Sequence, residues 1–340
     1  MNSRRWLLLA GPVIAAISMV GLWLSARKAE RTELDRADAA LARTAAAYLS
    51  VVVPAGGANG YDPARLLSAV NNLARASLWP GGLQLSLGAV PLLPDTIGLV
   101  PVPDSLLRLL DEGRQGVIAP HARVRVALVP FLDRDRWGML GWVAAWGSVR
   151  PQVPSFRTWF LTGLAAAWTV LAVLVFLGEV DRRWRVVAFV SALGFLAILT
   201  VDLGWSVHQT ARTAAETRLL TLKRLIEVAA TAPGVRQAML PEIAVDVRVR
   251  PFRQAVTPPT DVAWGRGDVG PNLTIVAATP RSQGGLELTL QQDTSGLARL
   301  RLVLAGWLAL GAAGLGLSAL GARLRGRDPE RVKSPSPVPA

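Results

Sequence analysis

The chain has 340 residues, of which 51% are hydrophobic, and it carries a formal net charge of +13. It contains no cysteine, which excludes disulfides and thiolate metal sites. Its arginines are scattered or lie at the ends of apolar runs, whereas nucleic-acid binding needs a continuous basic stripe. They fit anionic lipid head groups better, so the predicted partner is a lipid bilayer and not a nucleic acid.

Four runs with almost no charge organise the chain. They cover residues 6–24, 159–177, 186–204 and 302–320. At a rise of 1.5 Å per residue, each run can cross a hydrocarbon core of roughly 30 Å as a helix. The predicted fold class is therefore a multi-pass α-helical membrane protein with four transmembrane helices. The polar segments between the runs predict two small extracytoplasmic α+β domains.

Charges beside the runs predict the orientation. Arg4 and Arg5 precede the first run, the loop 179–185 is net positive, and five basic residues follow residue 320. The positive-inside rule places this loop and both termini in the cytoplasm. The first run is longer than the roughly 7–15-residue core of a signal peptide, so we expect an uncleaved anchor. The predicted location is a bacterial inner membrane.

These signals divide the chain into eight segments. The predicted boundaries are 1–26 for the cytoplasmic N-terminus and first span, 27–156 for the first extracytoplasmic domain, 157–178 for the second span, 179–185 for the cytoplasmic loop, 186–205 for the third span, 206–300 for the second extracytoplasmic domain, 301–321 for the fourth span, and 322–340 for a proline-rich tail expected to be disordered.

Beyond the first run the helix continues as an amphipathic stalk. Apolar residues recur there at spacings of three and four: Leu34, Ala37, Leu41, Ala45, Tyr48 and Val52. Asp62 and Pro63 then predict an N-cap followed by proline at the first position of a helix that ends near residue 77.

The rest of the first polar segment alternates between apolar and polar residues. Residues 83–87 predict a half-buried strand, and residues 103–112 predict a short helix. Val124, Val126 and Leu128 alternate with arginines, and residues 137–146 predict the returning strand of a hairpin.

The second polar segment has the same order in a shorter form. A second stalk carries the stripe Ala215, Leu219, Leu222, Ile226 and Ala229. Residues 245–249 alternate as a strand would, and residues 274–279 and 285–291 predict a hairpin before the last run. The repeated order indicates an internal duplication.

This order of span, long helix, α+β segment and returning span resembles the extracytoplasmic input regions of bacterial sensor kinases and chemoreceptors. The polar segments resemble tandem PAS-like sensor domains of the Cache or CHASE type, with the hairpin 122–146 in the place of the central strands. The resemblance implies a sensor-like input protein that passes an extracytoplasmic signal on through helix shifts. Such receptors continue into an output domain, and because none follows the last run we expect a separate kinase-type partner.

Four residues are candidate ligand-binding residues: Arg123, Arg125, Trp142 and Trp79. Guanidinium groups can capture an anionic ligand, and tryptophans can line a pocket. The alternatives are a solvated strand face for the arginines and core filling for the tryptophans.

The spans carry a second group of candidate residues. Tryptophans at the span ends are predicted interface anchors: Trp6, Trp23, Trp159, Trp184 and Trp205. Small residues on the last run would let another helix approach closely: Ala305, Ala309, Ala312, Ala313 and Gly316. Asp202, near the outer end of the third run, either reaches the interface or has a buried partner or function at membrane depth.

Catalytic signals are absent from the sequence. It shows no phosphate-binding loop, nucleophile elbow or metal-ligand cluster, and His121 and His208 lie in different segments. We therefore expect no enzyme, cofactor or metal. The alternative to sensing is a structural or scaffold subunit of a larger membrane complex, and a homodimer is compatible with both functions.

Overall fold

The structure is a computed structural model of the chain, and it describes a defined set of residues. These are residues 3–53, 62–76, 82–87, 90–91, 104–111, 117–121, 124–132, 140–147, 149–153, 155–177, 181–252, 262–266, 271–279 and 284–325. The chain forms two compact units. Unit 1 contains Met1–Ala29, Gln152–Val207 and Leu297–Ala340, and unit 2 contains Glu30–Pro151 and His208–Gly296.

The described residues form helices and short strands. The helices are α1 (Ser3–Val52), α2 (Pro63–Ala76), α3 (Asp104–Asp111), α4 (Phe156–Leu177), α5 (Arg182–Thr231), α6 (Leu240–Ile243) and α7 (Ser295–Arg325). The strands are β1 (Gly82–Leu87), β2 (Val90–Pro91), β3 (Val117–His121), β4 (Val124–Leu132), β5 (Gly141–Trp146), β6 (Arg248–Phe252), β7 (Ala263–Arg266), β8 (Pro271–Thr279) and β9 (Gly284–Gln291).

Unit 1 is helical. It contains α4, most of α7 and the first parts of α1 and α5. These four helices are long and apolar enough to cross a membrane, which confirms the four predicted helical runs. Helices α4, α5 and α7 pack together through alanines and larger apolar side chains: Ala172, Phe176, Ala188, Ala192 and Leu315.

Helices α1 and α7 approach each other closely. A Cβ atom added to Gly314 would lie 2.8 Å from the carbonyl oxygen of Gly11. Ser318 also lies against Gly11, and the Ser18 hydroxyl donates a hydrogen bond to the carbonyl oxygen of Trp307. Glycine and serine at these points let the two backbones come near each other without steric conflict.

The face of α7 that makes this contact differs from the predicted small-residue stripe. Ala305, Ala309 and Ala313 are exposed, and Ala312 and Gly316 are half-buried. The buried face consists instead of Leu304, Gly311, Gly314, Leu315 and Ser318. Small residues occur on both faces, so the composition of the run predicts close packing but not the face that packs.

Two glycine substitutions on α7 test which face of this helix packs against α1. We expect Gly314→Ala to lower the free energy of unfolding by about 1–3 kcal/mol, because the added methyl group meets backbone and the side chain of Ile14. Gly316→Ala is the matched control, because no atom lies within 4 Å of its added Cβ. It should be neutral or stabilise by up to about 1 kcal/mol through helix propensity. Unfolding in mixed detergent micelles measures both, and equal effects would contradict the packing described.

In unit 2, Asp62 begins helix α2. Its Oδ1 accepts hydrogen bonds from the backbone N–H groups of Ala64 and Arg65, at 3.0 and 3.4 Å. Pro63 occupies the first helical position, where its missing N–H costs nothing. The predicted N-cap and helix are therefore confirmed, and five apolar side chains of α2 are buried.

Unit 2 contains two antiparallel sheets. The first sheet has the strand order β2-β1-β5-β4-β3, and the second has the order β6-β9-β8-β7. Strand β4 pairs with β5, and β8 pairs with β9, which confirms both predicted hairpins. The predicted strand at 83–87 is β1, and the predicted short helix is α3.

Both sheets and the stalk helices share one hydrophobic core. Ala127 and Val143 of the first sheet, Ile275 and Leu288 of the second, and the buried stripes of α1 and α5 belong to the same cluster. The two polar segments that the sequence analysis treats as separate domains thus lie in one unit. Each sheet is small, and apolar residues of the stalk helices and of α2 belong to the core that covers it.

Candidate functional site

The candidate site is the paired stalk, defined as residues 30–52 of α1 and residues 208–231 of α5. Both predicted stripes are buried, because three-and-four spacing places their members on one face of a helix. The buried residues are Leu34, Ala37, Leu41, Ala45, Tyr48 and Val52 on α1, and Ala215, Leu219, Leu222, Ile226 and Ala229 on α5. Both helices also contribute residues to unit 1, so the stalk connects the core of unit 2 to the apolar runs covalently.

The two stalk helices run parallel in a defined register. The Thr210 hydroxyl on α5 donates a hydrogen bond to Glu30 Oε1 on α1 at 2.9 Å. One helical turn further along both helices, Leu34 and Ala214 belong to one apolar cluster. A polar pair followed by an apolar pair specifies how one helix is placed along the other.

Buried carboxylates make this register costly to change. Glu30 is 1% exposed and Asp38 is 0% exposed. A buried carboxylate is unfavourable unless hydrogen bonds or charges compensate for its lost hydration. Sliding α5 by one turn would remove Thr210 from Glu30, so the buried pair favours one discrete arrangement of the helices.

Asp246 joins both stalk helices to the turn before β6. Its Oδ2 lies 3.1 Å from Arg43 Nη1 on α1 and 3.7 Å from Arg218 Nη2 on α5. Arg218 Nη2 also donates a hydrogen bond to the carbonyl oxygen of Val245 at 2.6 Å. We call Arg43, Arg218 and Asp246 the stalk clamp. It holds three segments of the chain through one carboxylate.

The backbone of Asp246 differs from the predicted strand at 245–249. Its φ is 57°, in the left-handed region that aspartate tolerates better than most residues. The strand β6 begins only at Arg248, and the residues before it form a turn after α6. The alternation of valine with polar residues imitates a strand there, but the turn aims the Asp246 carboxylate at the arginines of the stalk.

Arg218 carries a positive charge in a largely buried position outside the apolar runs. Burial lowers the pKa of the Arg218 guanidinium to about 10, the Asp246 carboxylate raises it, and the Arg43 guanidinium lowers it. Arg218 therefore remains protonated at neutral pH. Its charge depends on Asp246 and the Val245 carbonyl oxygen for compensation.

We expect Asp246→Asn to lower the free energy of unfolding by about 1–2 kcal/mol. Asparagine accepts the left-handed backbone, so the variant removes the charge and leaves two guanidinium groups near each other. The effect stays below that of a fully buried pair because the Asp246 side chain is 52% exposed. The control is Arg36→Gln, which removes an i,i+3 pair with Glu33 and should change the free energy by no more than about 0.5 kcal/mol. Equal losses in urea unfolding would contradict a clamping role.

The second sheet is attached to α5 by polar contacts. The Trp264 indole N–H donates to Glu216 Oε1 at 2.9 Å, and Arg212 Nε lies 3.1 Å from the same oxygen. The Arg212 guanidinium also lies 4.5 Å from the centre of the Trp264 ring, within cation–π range. Further along α5, Glu227 accepts a hydrogen bond from the Ala278 N–H at 3.1 Å. These contacts attach two strands of the second sheet to α5 at separate points.

Of the four predicted ligand-binding residues, only Trp142 has a described side chain. Trp142 is 5% exposed and packs with Leu110 of α3 and Leu128 of β4. It fills the core on the face of the first sheet opposite the shared core, as the alternative interpretation expected. Arg125 lies in β4 with its side chain outside the description. Trp79 and Arg123 lie outside the described residues.

The predicted interface anchors occupy helices of unit 1. Trp159, Trp184 and Trp205 are 58%, 63% and 56% exposed. Trp23 is half-buried, its ring centroid lies 4.9 Å from that of Trp159, and its indole N–H donates to Thr162 Oγ1 at 2.9 Å. Trp6 lies in α1, and its side chain is outside the description.

Asp202 is a buried carboxylate with an ion-pair partner. Its side chain is 3% exposed, and its Oδ1 lies 2.7 Å from Arg157 Nε at the start of α4. The buried Thr158 hydroxyl donates to Asp202 Oδ2 at 3.4 Å. A carboxylate among apolar helices is costly unless it is paired, and the structure supplies the pair. Of the two histidines, His121 lies in β3 and His208 is half-buried in α5.

Metal binding has no structural support in the described part of the chain, where no three His, Asp or Glu side chains converge. Comparison with protein-family models, with curated protein sequences and with solved structures found no match. Function is therefore inferred from the geometry of the two units alone.

Proposed function

We propose that the chain is a multi-pass inner-membrane protein and that unit 2 is a sensor-like input module outside the cytoplasm. Large apolar side chains on the surface of unit 1 support the membrane location. Val20, Phe160, Val190, Ile198 and Leu302 are 50–75% exposed. So much outward apolar surface is unfavourable in water and favourable in hydrocarbon. The charges beside the runs favour cytoplasmic termini.

The observation that carries the sensing role is the continuity of α1 and α5. Each is a 50-residue helix that begins in an apolar run and ends in the core of unit 2. Because a helix is stiff along its axis, a rearrangement of the sheets that displaces the paired stalk also displaces the apolar halves of both helices. The Glu30–Thr210 pair and the stalk clamp are the contacts that such a displacement would break.

The proposal includes a PAS-like type for the two sheet-bearing segments and a separate kinase-type partner. Two antiparallel sheets that pack on the stalk support the first part, and a change in the second sheet would reach α5 through Glu216 and Glu227. The partner would read the displacement of the helices within the membrane.

A structural or scaffold subunit of a larger membrane complex is the second candidate function. The outward small-residue face of α7 favours it, because Ala305, Ala309 and Ala313 are exposed on a helix that could contact another chain. A homodimer through this face belongs to the same candidate.

Single cysteines test the proposed orientation, because the chain contains none of its own. Leu67 on α2 is 59% exposed, and Asp181 before α5 is exposed. We expect a membrane-impermeant maleimide to label Leu67→Cys in intact spheroplasts, and Asp181→Cys only after the membrane is opened. Labelling of Asp181→Cys in intact spheroplasts, with labelling of Leu67→Cys only after the membrane is opened, would place unit 2 in the cytoplasm. That result would refute the sensing proposal.

Purification of the full chain in mild detergent separates the two functions. Recovery of a kinase-type protein supports sensing, and a multi-subunit complex of fixed stoichiometry supports the scaffold function. A matched purification of Asp246→Asn adds a second readout, since sensing through the paired stalk predicts altered kinase activity with the partner still bound.

A further inference from the structure

A groove in unit 1 runs between α1 and α4. Two adjoining cavities of about 360 and 400 Å³ form it, and both are lined by Ala16, Met19 and Ala166. Along α1 the lining extends from Pro12 to Leu24. The groove exists because alanines on both helices leave space that larger side chains would fill.

The walls of the groove offer almost no hydrogen-bonding groups. The hydroxyls of Thr162 and Thr169 donate to carbonyl oxygens one turn earlier on α4, at 2.7 Å each. The indole N–H of Trp23 donates to Thr162. These polar atoms are satisfied within the protein, so the occupant that fits the groove is apolar.

The dimensions and the ends of the groove suit one lipid chain. From Pro12 to Leu24 it is roughly 18 Å long at 1.5 Å per residue, similar to the roughly 15 Å depth of one leaflet. Trp23 and Trp159 close the end where an interfacial aromatic pair belongs. Arg27 is exposed one turn beyond Trp23, on the same face of α1.

We propose that the groove binds one acyl chain of an anionic phospholipid and that Arg27 binds its phosphate group. The inference rests on the proposed membrane location. The arginine beyond the aromatic pair supplies the charge that distinguishes an anionic head group from a zwitterionic one. The acyl chain replaces the missing side-chain volume between α1 and α4, so the lipid becomes part of the packing of unit 1.

Native mass spectrometry of the full chain tests the site. The purified protein in detergent receives equal amounts of phosphatidylglycerol and phosphatidylcholine with identical acyl chains. We expect a preference for bound phosphatidylglycerol of about fivefold, the factor that corresponds to about 1 kcal/mol for one arginine near an anionic surface. Arg27→Gln should abolish the preference, so that the two lipids bind in a ratio of about one. Arg27→Lys should retain most of the preference.

A second experiment fills the groove with larger side chains. The double variant Ala16→Leu and Ala166→Leu projects side chains into the groove and should reduce retained lipid at least tenfold. Ala167→Leu, the neighbouring exposed position outside the lining, is the matched control and should retain lipid. If the double variant does not fold, the lipid preference of the Arg27 variants alone tests the site. Arg27 is exposed, so its replacement changes no packing.

Two results would overturn the lipid site: equal retention of both lipids by the wild-type chain, or full lipid retention by a folded double variant. Membrane fractionation of the cells from which the protein is purified separates this failure from that of the proposed function. A chain that sediments with membranes but shows no lipid preference refutes only the lipid site. A chain that stays in the soluble fraction refutes the membrane location as well.

Discussion

Replacing Arg157 with glutamine is expected to destabilise unit 1 by about 3 kcal/mol or more. The substitution removes the ion-pair partner of the Asp202 carboxylate, which is 3% exposed and accepts a longer hydrogen bond from Thr158 at 3.4 Å. An unpaired carboxylate in a buried position bears a large desolvation cost, which weakens the fold. The free energy of unfolding in mixed detergent micelles measures the loss.

Replacing the other partner, in the variant Asp202→Asn, should cost less stability, because Asp202 is buried and Arg157 is mostly exposed. The Arg157 side chain is 71% exposed, so in Asp202→Asn its guanidinium can turn toward water or lipid phosphates. The double variant Arg157→Gln and Asp202→Asn should regain most of the stability that Arg157→Gln loses, since no buried charge remains. Equal costs for the two single variants, without recovery in the double variant, would contradict this account.

Truncating Leu222 to alanine is expected to cost about 2–5 kcal/mol and to weaken both sheets together. Leu222 is 1% exposed in the core that the two polar segments share. The cavity left by the substitution removes contacts that surrounding side chains cannot restore. Hydrogen exchange followed by mass spectrometry should show faster exchange in β5 and in β9, although these strands belong to different segments.

A surface leucine gives the control for Leu222. Leu67 lies on α2 and is 59% exposed, so Leu67→Ala should change the free energy of unfolding by no more than about 0.5 kcal/mol. If Leu222→Ala increased exchange only in residues 263–291, the two segments would have separate cores. A shared core requires that the exchange of both sheets respond to the same cavity.

Local patterns made the helices and hairpins predictable from the sequence. Three-and-four spacing identified both stalk stripes, including Tyr48 and Leu219, and apolar length identified the four long helices. The Asp62–Pro63 pair predicted the start of α2, because capping depends on residues adjacent in the chain. For the same reason, alternation predicted β1 and β4, and the turn residues 280–284 predicted the hairpin of β8 and β9.

Contacts between distant segments were not predictable in this way. The sequence shows Arg43, Arg218 and Asp246 as ordinary charged residues, and only the fold brings them together. Asp246 was further concealed by the valines on either side, which imitate a strand. One available signal was the spacing of Arg218, three residues after Ala215 and four before Leu222, which places this arginine on the side of the helix that carries the buried stripe. A charged residue buried there needs a partner.

The packing face of α7 and the surroundings of Trp142 were hard to predict for another reason. In α7 the exposed and buried faces both contain small residues, so neither hydropathy nor side-chain volume distinguishes them. In β5, alternation is lost because α3 covers one face of the sheet and the shared core covers the other. A single sequence therefore predicts which elements form better than it predicts what each face touches.

The shared core has a consequence for synthesis on the ribosome. Side chains of β5, such as Val143, are covered by a cluster that includes Leu222 and Ile226 of α5. Helix α5 ends at Thr231, after two further apolar helical segments have been translated. One apolar face of the first sheet must therefore stay uncovered, and available to chaperones, until α4 and α5 have both been translated.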